Sequence, residues 1–116
     1  MQIVKINDRT ARIETDSVLI TDGQSALDII ASVRYETGCD RIIIPKSAVD
    51  EAFFDLKTGI AGEVLQKFVN YRLTVAIVGD FSGYTSNSLK DFMYESNKGQ
   101  SVFFVKDEQD ALALMK

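Results

Sequence analysis

The sequence predicts one α/β domain over residues 1–116, built on a mixed, mostly parallel sheet of five or six strands with about four helices. Short β-branched apolar runs alternate with helical segments, and this alternation is typical of βαβ units. Residues 55–80 show the pattern best, because an amphipathic helix there leads directly into a strand that is apolar on both faces. Two short strands on either side of a turn at residues 7–10 predict an antiparallel hairpin at one edge of the sheet.

The other elements follow from the same periodicities. Strands are predicted at residues 2–6, 11–14, 41–45, 73–79 and 101–105, with 18–20 as a third short strand or a continuation of the second. Helices are predicted at 24–37, between 55 and 70, at 88–96 and at 107–116. Gly38 is expected to end the first helix, and Ser88 with Asp91 resembles a capping box for the third. Phe53 and Phe54 are expected to enter the core.

The central helix has a stripe of six apolar residues: Ile60, Ala61, Val64, Leu65, Phe68 and Val69. These residues fall three or four apart, so the helix is expected to pack by that face. Asp55 and Thr58 are alternative caps at its start. Gly59 and Gly62 are poor helix formers, which indicates close backbone approach there. In the following strand, residues 74, 76 and 78 are smaller than their neighbours, so a helix is expected to lie close on that side.

Charge and composition exclude several classes of function. The chain has 13 basic and 17 acidic residues, a formal net charge of −4 and 46% hydrophobic residues. It therefore lacks the basic footprint of nucleic-acid binding and the attraction to an acidic membrane surface. No apolar run approaches the roughly 18 residues of a membrane span, and the amino terminus lacks a signal-peptide core. A cytoplasmic protein is expected, and its single cysteine, Cys39, cannot form an internal disulfide.

The chain has no histidine. This removes the commonest general base, together with His-based triads and His-rich metal sites. One cysteine also rules out a Cys-rich zinc site. Neither a metal nor a cofactor is therefore expected, and any catalysis would have to rely on Asp, Glu, Lys, Ser or Tyr.

Four segments together resemble one bacterial family: residues 54–63 (FDLKTGIAGE), 65–72 (LQKFVNYR), 76–82 (AIVGDFS) and 88–99 (SLKDFMYESNKG). On these residues the chain is similar, over nearly its whole length, to the domain-of-unknown-function family numbered 4180. The resemblance implies a small, single-domain bacterial protein. It brings no assigned activity and no functional residue.

The order of elements also resembles the STAS fold of anti-sigma-factor antagonists, in which a hairpin is followed by alternating helices and strands. In that family a Ser or Thr at the start of the helix after a central strand is phosphorylated and switches partner binding. The matching position is Thr58, in DLKTG at residues 55–59. The usual Asp-Ser signature of the family is absent, so the resemblance implies Thr58 as a phosphorylation site by position alone.

A site is expected beyond the carboxyl ends of the parallel strands, where open α/β sheets bind their ligands. The strand ends carry residues 21–23, 46–47 and 80–84, and the helix start at 57–59 lies near them if the preceding connection folds back. Free amides at that helix start, with the charge of a nearby lysine, would attract an anion. The candidate binding residues are Asp22, Lys57, Thr58, Gly59, Asp80, Ser82 and Tyr84. Simpler interpretations exist, because Asp22 and Thr58 are also ordinary helix caps and Asp80 and Ser82 ordinary turn residues.

Three functions are consistent with these residues. The first is a non-catalytic protein-interaction or regulatory module of STAS-like type, with an unidentified protein partner. The second is a sensor of a small ligand or anion at the strand-end loops. The third is an enzyme that uses Asp80, Ser82, Lys57 or Tyr84. A homodimer through an exposed edge strand or a bare sheet face is also consistent with the sequence.

Overall fold

The computed structural model describes residues 1–115 as a five-stranded sheet with four helices. The strands are β1 (Gln2–Lys5), β2 (Thr10–Glu14), β3 (Arg41–Pro45), β4 (Thr74–Val78) and β5 (Val102–Val105). The helices are α1 (Gly23–Thr37), α2 (Ile60–Asn70), α3 (Asn87–Lys98) and α4 (Glu108–Leu114). Short 3-10 turns at Lys46–Ala48, Glu51–Phe54 and Leu56–Thr58 occupy the connection from β3 to α2. The predicted fold class is confirmed, with five strands.

The strands lie in the sheet in their chain order, from β1 at one edge to β5 at the other. β1 pairs antiparallel with β2, which confirms the predicted hairpin, and the later neighbours pair in parallel. Each parallel crossover steps in the same direction, and such crossovers are right-handed. The crossover helices α1, α2 and α3 therefore share one face of the sheet, while α4 covers the other.

The two faces bury cores of different size. The larger core lies between the sheet and the crossover helices, and it contains Phe53 and Phe54, as predicted, at 0% and 4% exposure. In the smaller core, Ala76 of β4 packs against Ala111 and Met115 at the α4 side. The small side chains of β4 thus mark the face on which a helix lies close, as the sequence predicts.

The predicted third strand at residues 18–20 is wrong. Ile20 makes only an isolated parallel bridge with Val49, and Val18 is 53% exposed. Since β2 has β1 on one side and β3 on the other, residues 18–20 cannot pair with β2 as a further strand. The segment instead lies against the connection after β3, where the Leu19 and Ile20 amides donate to the Ala48 carbonyl at 2.7 and 2.9 Å.

The start of α2 differs in part from the prediction. Gly59 is the cap residue, in a left-handed conformation with φ 77°. Thr58 does serve the helix, because its Oγ1 accepts the Ile60 amide at 3.2 Å. Asp55 does not, since its carboxylate accepts the Lys57 amide in the preceding 3-10 turn at 3.2 Å.

Two further predictions about helix residues are wrong. Val69 is 48% exposed rather than packed, because it lies in the last turn of α2 beside the exposed Tyr71. The cap of α3 is Ser86, whose Oγ accepts the Leu89 amide at 3.2 Å. The expected cap, Ser88, lies inside the first turn because the helix already begins at Asn87.

Close backbone approach does not explain the glycines of α2, because a Cβ at Gly62 or Gly59 would meet no atom within 4 Å. Gly62 lacks the positive φ of Gly59. We therefore expect Gly62→Ala to raise the free energy of unfolding by about 0.5–1 kcal/mol. Gly59→Ala, the matched control, should lower it, because φ 77° strains any residue with a Cβ. Urea denaturation followed by circular dichroism measures both, and a loss of stability in Gly62→Ala would contradict the prediction.

Candidate functional site at the carboxyl ends of the strands

Three connections meet beyond the carboxyl ends of the parallel strands: residues 15–22 after β2, 46–59 after β3 and 79–86 after β4. The Asp50 amide donates to the Ile20 carbonyl at 2.9 Å, which joins the first connection to the second. The Tyr84 hydroxyl bonds the Glu51 carboxylate, which joins the second to the third. All the predicted site residues lie in these connections, but their contacts divide them into separate groups.

The best-connected group centres on Lys46, which directly follows Pro45 at the end of β3. Its Nζ lies 3.1 Å from Glu51 Oε1, and the Tyr84 hydroxyl donates to the same carboxylate at 2.9 Å. The ammonium also lies 5.3 and 5.1 Å from the ring centroids of Phe54 and Tyr84, which is cation–π range. We call Lys46, Glu51, Phe54 and Tyr84 the Lys46 cluster.

Aromatic stacking and one glycine support this cluster. The Phe54 and Tyr84 rings stack with centroids 5.2 Å apart, and Phe81 packs on Phe54 at 5.8 Å. A Cβ built at Gly79 would lie only 2.5 Å from Lys46 Cβ. Because the backbone fixes the position of a Cβ atom, only glycine at this position lets the connections after β3 and β4 approach so closely.

Three ionisable groups of this region, Lys46, Tyr84 and Asp80, have pKa values displaced away from neutrality. The pKa of Lys46 is raised by the Tyr84 hydroxyl and by Glu51, against its partial burial. Burial raises the pKa of Tyr84, and Glu51 adds to the rise while Lys46 opposes it. The Ser82 hydroxyl and amide, at 2.6 and 2.9 Å, lower the pKa of Asp80. At neutral pH these groups are therefore an ammonium, a phenol and a carboxylate.

The raised pKa of Tyr84 predicts that the stability of the fold falls in the alkaline range. The phenol favours the folded state below its ordinary pKa of about 10, and this contribution is lost as pH rises through the higher folded pKa. We expect Tyr84→Phe to lose roughly 0.5–1.5 kcal/mol at pH 8, through the hydrogen bond to Glu51. The difference from wild type should shrink above pH 10. Urea denaturation at stepped pH measures it, with Tyr35→Phe as the control because Tyr35 is 92% exposed. A constant difference across the alkaline range would contradict the prediction.

Asp22 has a local structural role, as the cap of α1. Asp22 caps α1 by accepting the Ser25 amide at 2.8 Å, and the Ser25 hydroxyl completes a capping box. The Ser25 amide and hydroxyl lower the pKa of Asp22. The hydrogen bonds to Asp22 come from the first turn of α1, so the structure does not bring Asp22 to the Lys46 cluster.

Thr58 ties two 3-10 turns together. Its hydroxyl shares its single proton between the Ala52 carbonyl, at 2.8 Å, and the Asp55 carbonyl, at 2.9 Å. The turn at Glu51–Phe54 supplies two members of the Lys46 cluster, so Thr58 is connected to the cluster through the backbone. Lys57 and Gly59 flank Thr58 and are exposed.

These connections hold an excess of negative charge. They carry six acidic residues and two lysines: Asp16, Asp22, Asp50, Glu51, Asp55 and Asp80, against Lys46 and Lys57. The difference equals the whole formal net charge of the chain, −4. The carboxyl edge of the sheet is therefore an acidic surface.

Sequence reasoning identified only Tyr84 from the Lys46 cluster as a site residue. The pattern marks Lys46 as a strand-end residue, which is a usable signal. It gives no sign of Glu51, because the contact between Glu51 and Tyr84 spans 33 positions of the chain. Phe54 is predicted as a core residue, and it is one, but the face of its ring also contacts Lys46 and Tyr84 of the cluster.

Within residues 1–115, no three His, Cys, Asp or Glu side chains come together closely enough to hold a metal ion. None of the helices in the described part of the chain has the length and apolarity that crossing a bilayer requires.

The fold and the site define a small α/β domain with an acidic carboxyl edge and a Lys46 cluster whose charged groups are paired with each other. The chain belongs to the family described as Domain of unknown function (DUF4180), whose model matches residues 5–115. This confirms the family resemblance of the four sequence segments. No curated protein and no solved structure matches the chain, so the STAS resemblance stays a prediction.

Proposed function

We propose that the chain is a non-catalytic protein-interaction module of STAS-like regulatory type, which binds a basic partner segment through the acidic carboxyl edge of its sheet. The observation that carries the proposal is the acidic excess of this edge, where six carboxylates face two lysines. The pKa shifts support its non-catalytic part, since those of Lys46 and Tyr84 are raised and that of Asp80 is lowered.

Acid–base catalysis is most effective when the pKa of the catalytic group lies near the working pH. Lys46 stays an ammonium and is no nucleophile, and Tyr84 stays a phenol and is no base. The Ser82 hydroxyl donates to Asp80 at 2.6 Å, but a carboxylate of lowered pKa is a weak base for removing that proton. These shifts favour binding over catalysis and count against the enzyme that the sequence leaves open.

The charge of the edge indicates the chemistry of the partner. An acidic surface steers a basic segment toward it and repels anions. The acidic surface therefore counts against an anion sensor in these connections. This holds also for residues 57–59, because Asp55 lies two positions before Lys57. A lysine- or arginine-rich segment of a protein is the partner that fits.

Thr58 is the residue through which we propose that partner binding is regulated. A phosphorylated side chain cannot donate to the Ala52 and Asp55 carbonyls, and it would place about two negative charges against them. The turn that holds Glu51 and Phe54 would then lose its tie to the turn at Leu56–Thr58. We therefore propose that phosphorylation of Thr58 releases the partner by changing the geometry of the edge.

The test of this switch is an affinity capture from a lysate of the native cells, read by mass spectrometry. Thr58→Glu should lose a basic partner that wild type retains. Thr85→Glu is the matched control, because it adds the same charge to the same edge outside the turns. If both variants retain the partner, the switch at Thr58 is wrong, while the proposal of an interaction module stands. Loss in both would contradict the proposal, because added negative charge on an acidic surface should favour a basic partner.

A second capture tests the interaction module itself. We expect Asp16→Asn combined with Asp80→Asn to weaken retention of the partner, since it removes two charges from the edge. Asp28→Asn with Glu36→Gln, on α1, removes the same charge elsewhere and should leave retention unchanged. If neither pair matters, or if no protein is retained with the tag at either end, the proposal fails.

A second copy of the chain is the other expected partner, and in the described residues the sheet has β1 at one edge and β5 at the other. At the β5 edge the Asn97 side chain pairs with both the amide and the carbonyl of Phe104, at 2.7 and 3.0 Å. A dimer through a sheet edge would therefore use β1. Sedimentation equilibrium of wild type against Lys5→Pro tests this, and a monomeric wild type would contradict it.

A further inference from the structure

The opposite edge of the sheet holds a cleft that neither the charge of the chain nor its family indicates. It has a volume of about 340 Å³ and lies at the amino ends of the parallel strands. It is lined by Arg41 and Thr74, which we call its floor, and by Arg9, residues 99–100 and residues 114–115. We call it the amino-edge cleft.

The floor is set by strand register. Arg41, the first residue of β3, pairs with Thr74, the first residue of β4. Both point to the face that α4 covers, since Ile43 and Ala76, two residues further on, lie in the core under that helix. A charged side chain and a hydroxyl thus stand side by side at the end of an otherwise apolar face.

Backbone hydrogen bonds fix the segments around this floor. The amides of Asp40 and Arg41 donate to the Arg9 carbonyl at 3.2 and 3.0 Å, and the Thr74 amide donates to the Asp40 carbonyl at 2.9 Å. The hairpin turn and the starts of β3 and β4 are therefore held together before any ligand binds. A preformed site of this kind loses less entropy on binding.

The charges in the cleft do not cancel. Arg9 is held by Asp40 through two hydrogen bonds, from Nε at 3.2 Å and Nη2 at 2.9 Å. Its Nη1 remains available to donate. Arg41 lies near enough to help lower the pKa of Asp40, after the larger effect of Arg9, yet within residues 1–115 it makes no ion pair of its own. Two guanidinium groups against one carboxylate leave one positive charge.

The surroundings leave this local positive charge unchanged, because Arg72 and Asp8 offset each other. The connections at the amino edge, with the first residue of β3, carry Arg9, Arg41 and Arg72 against Asp8 and Asp40. The carboxyl edge carries the acidic excess. A small anion is therefore repelled from one end of the molecule and attracted to the other.

We propose that the amino-edge cleft binds a small organic anion, whose carboxylate or phosphate group is held by Arg41, Arg9 Nη1 and the Thr74 hydroxyl. Arginine suits such groups because its planar fork donates two parallel hydrogen bonds. The volume is within the range of sites for small ligands. Leu114 lines the cleft as well and is 46% exposed, so the rest of the ligand has an apolar side chain to contact.

The experiment is a titration followed by amide resonances in a two-dimensional NMR spectrum. The probes are phenyl phosphate, benzoate and uncharged benzamide, which share a ring and differ in the polar group. We expect saturable shifts at residues 41, 74, 99 and 100 with one or both anions and none with benzamide. The comparison of phenyl phosphate with benzoate shows which oxyanion the cleft prefers.

Variants locate the binding. Arg41→Gln should weaken it at least about tenfold, because it removes a charged donor, and Arg72→Gln should leave it unchanged, since Arg72 belongs to the same edge but does not line the cleft. Thr74→Val, which suits a strand, should weaken binding several-fold and carries the test if Arg41→Gln does not fold. Equal binding of benzamide, equal weakening in Arg72→Gln, shifts elsewhere, or no shift up to about 10 mM would overturn the proposal.

Discussion

Replacing Phe53 by alanine is expected to lower the free energy of unfolding by about 3–5 kcal/mol. The ring is fully buried and contacts two others, with centroids 4.9 Å from Phe54 and 6.4 Å from Phe104. Alanine would leave a cavity, because the surrounding structure relaxes only in part around a truncated core side chain. Since a domain is stable by only about 5–15 kcal/mol, the variant should be close to unfolding at 37 °C.

Urea denaturation followed by circular dichroism measures this loss, and Tyr35→Ala is the matched control. Tyr35 is also aromatic but is 92% exposed, so its removal should change stability by less than about 0.5 kcal/mol. A loss below about 1 kcal/mol in Phe53→Ala would mean that the connection after β3 is not part of the cooperative core.

Local signals in the sequence were enough for most elements of the fold. Gly38 ends α1 in a left-handed conformation at φ 70°, as predicted, because the residue type and the end of the apolar pattern coincide there. The strands predicted at residues 41–45 and 73–79 form β3 and β4, because both segments are rich in β-branched apolar residues and are bounded by turn residues. These features depend on neighbours in the chain alone.

Residues 18–20 show what local signals cannot give. Val-Leu-Ile has the composition of a strand, but a strand needs an unpaired neighbour, and β2 is paired on both sides. The sequential order of the five strands likewise depends on which strands meet in space. The site follows the same rule, since Tyr84 was named from its loop while its partner Glu51 depends on a contact between two distant connections.

Asn97→Asp is expected to lower the free energy of unfolding by about 2–3 kcal/mol at neutral pH. Asn97 donates to the Phe104 carbonyl at 3.0 Å and accepts the Phe104 amide at 2.7 Å, which closes the edge of β5. An aspartate of the same shape keeps the acceptor but loses the donor, and it sets a negative charge against a carbonyl. The repulsion should raise the pKa of the new carboxyl group.

This raised pKa makes the prediction specific. A protonated carboxyl group can again donate to the Phe104 carbonyl, so the difference in stability from wild type should narrow as pH falls from 7 through the raised pKa. Asn70→Asp is the control, because Asn70 only accepts a hydrogen bond from Gln66 on the surface of α2, at 2.7 Å, and aspartate keeps that role. Urea denaturation of all three proteins at pH 4, 5.5 and 7 gives the comparison.

The pH dependence separates two explanations. If the loss of stability in Asn97→Asp, the deficit, were equal at every pH, packing around Asn97 rather than its two hydrogen bonds would hold the edge. If the deficit narrows and the variant also self-associates at pH 7, Asn97 both stabilises β5 and keeps that edge from pairing with another chain.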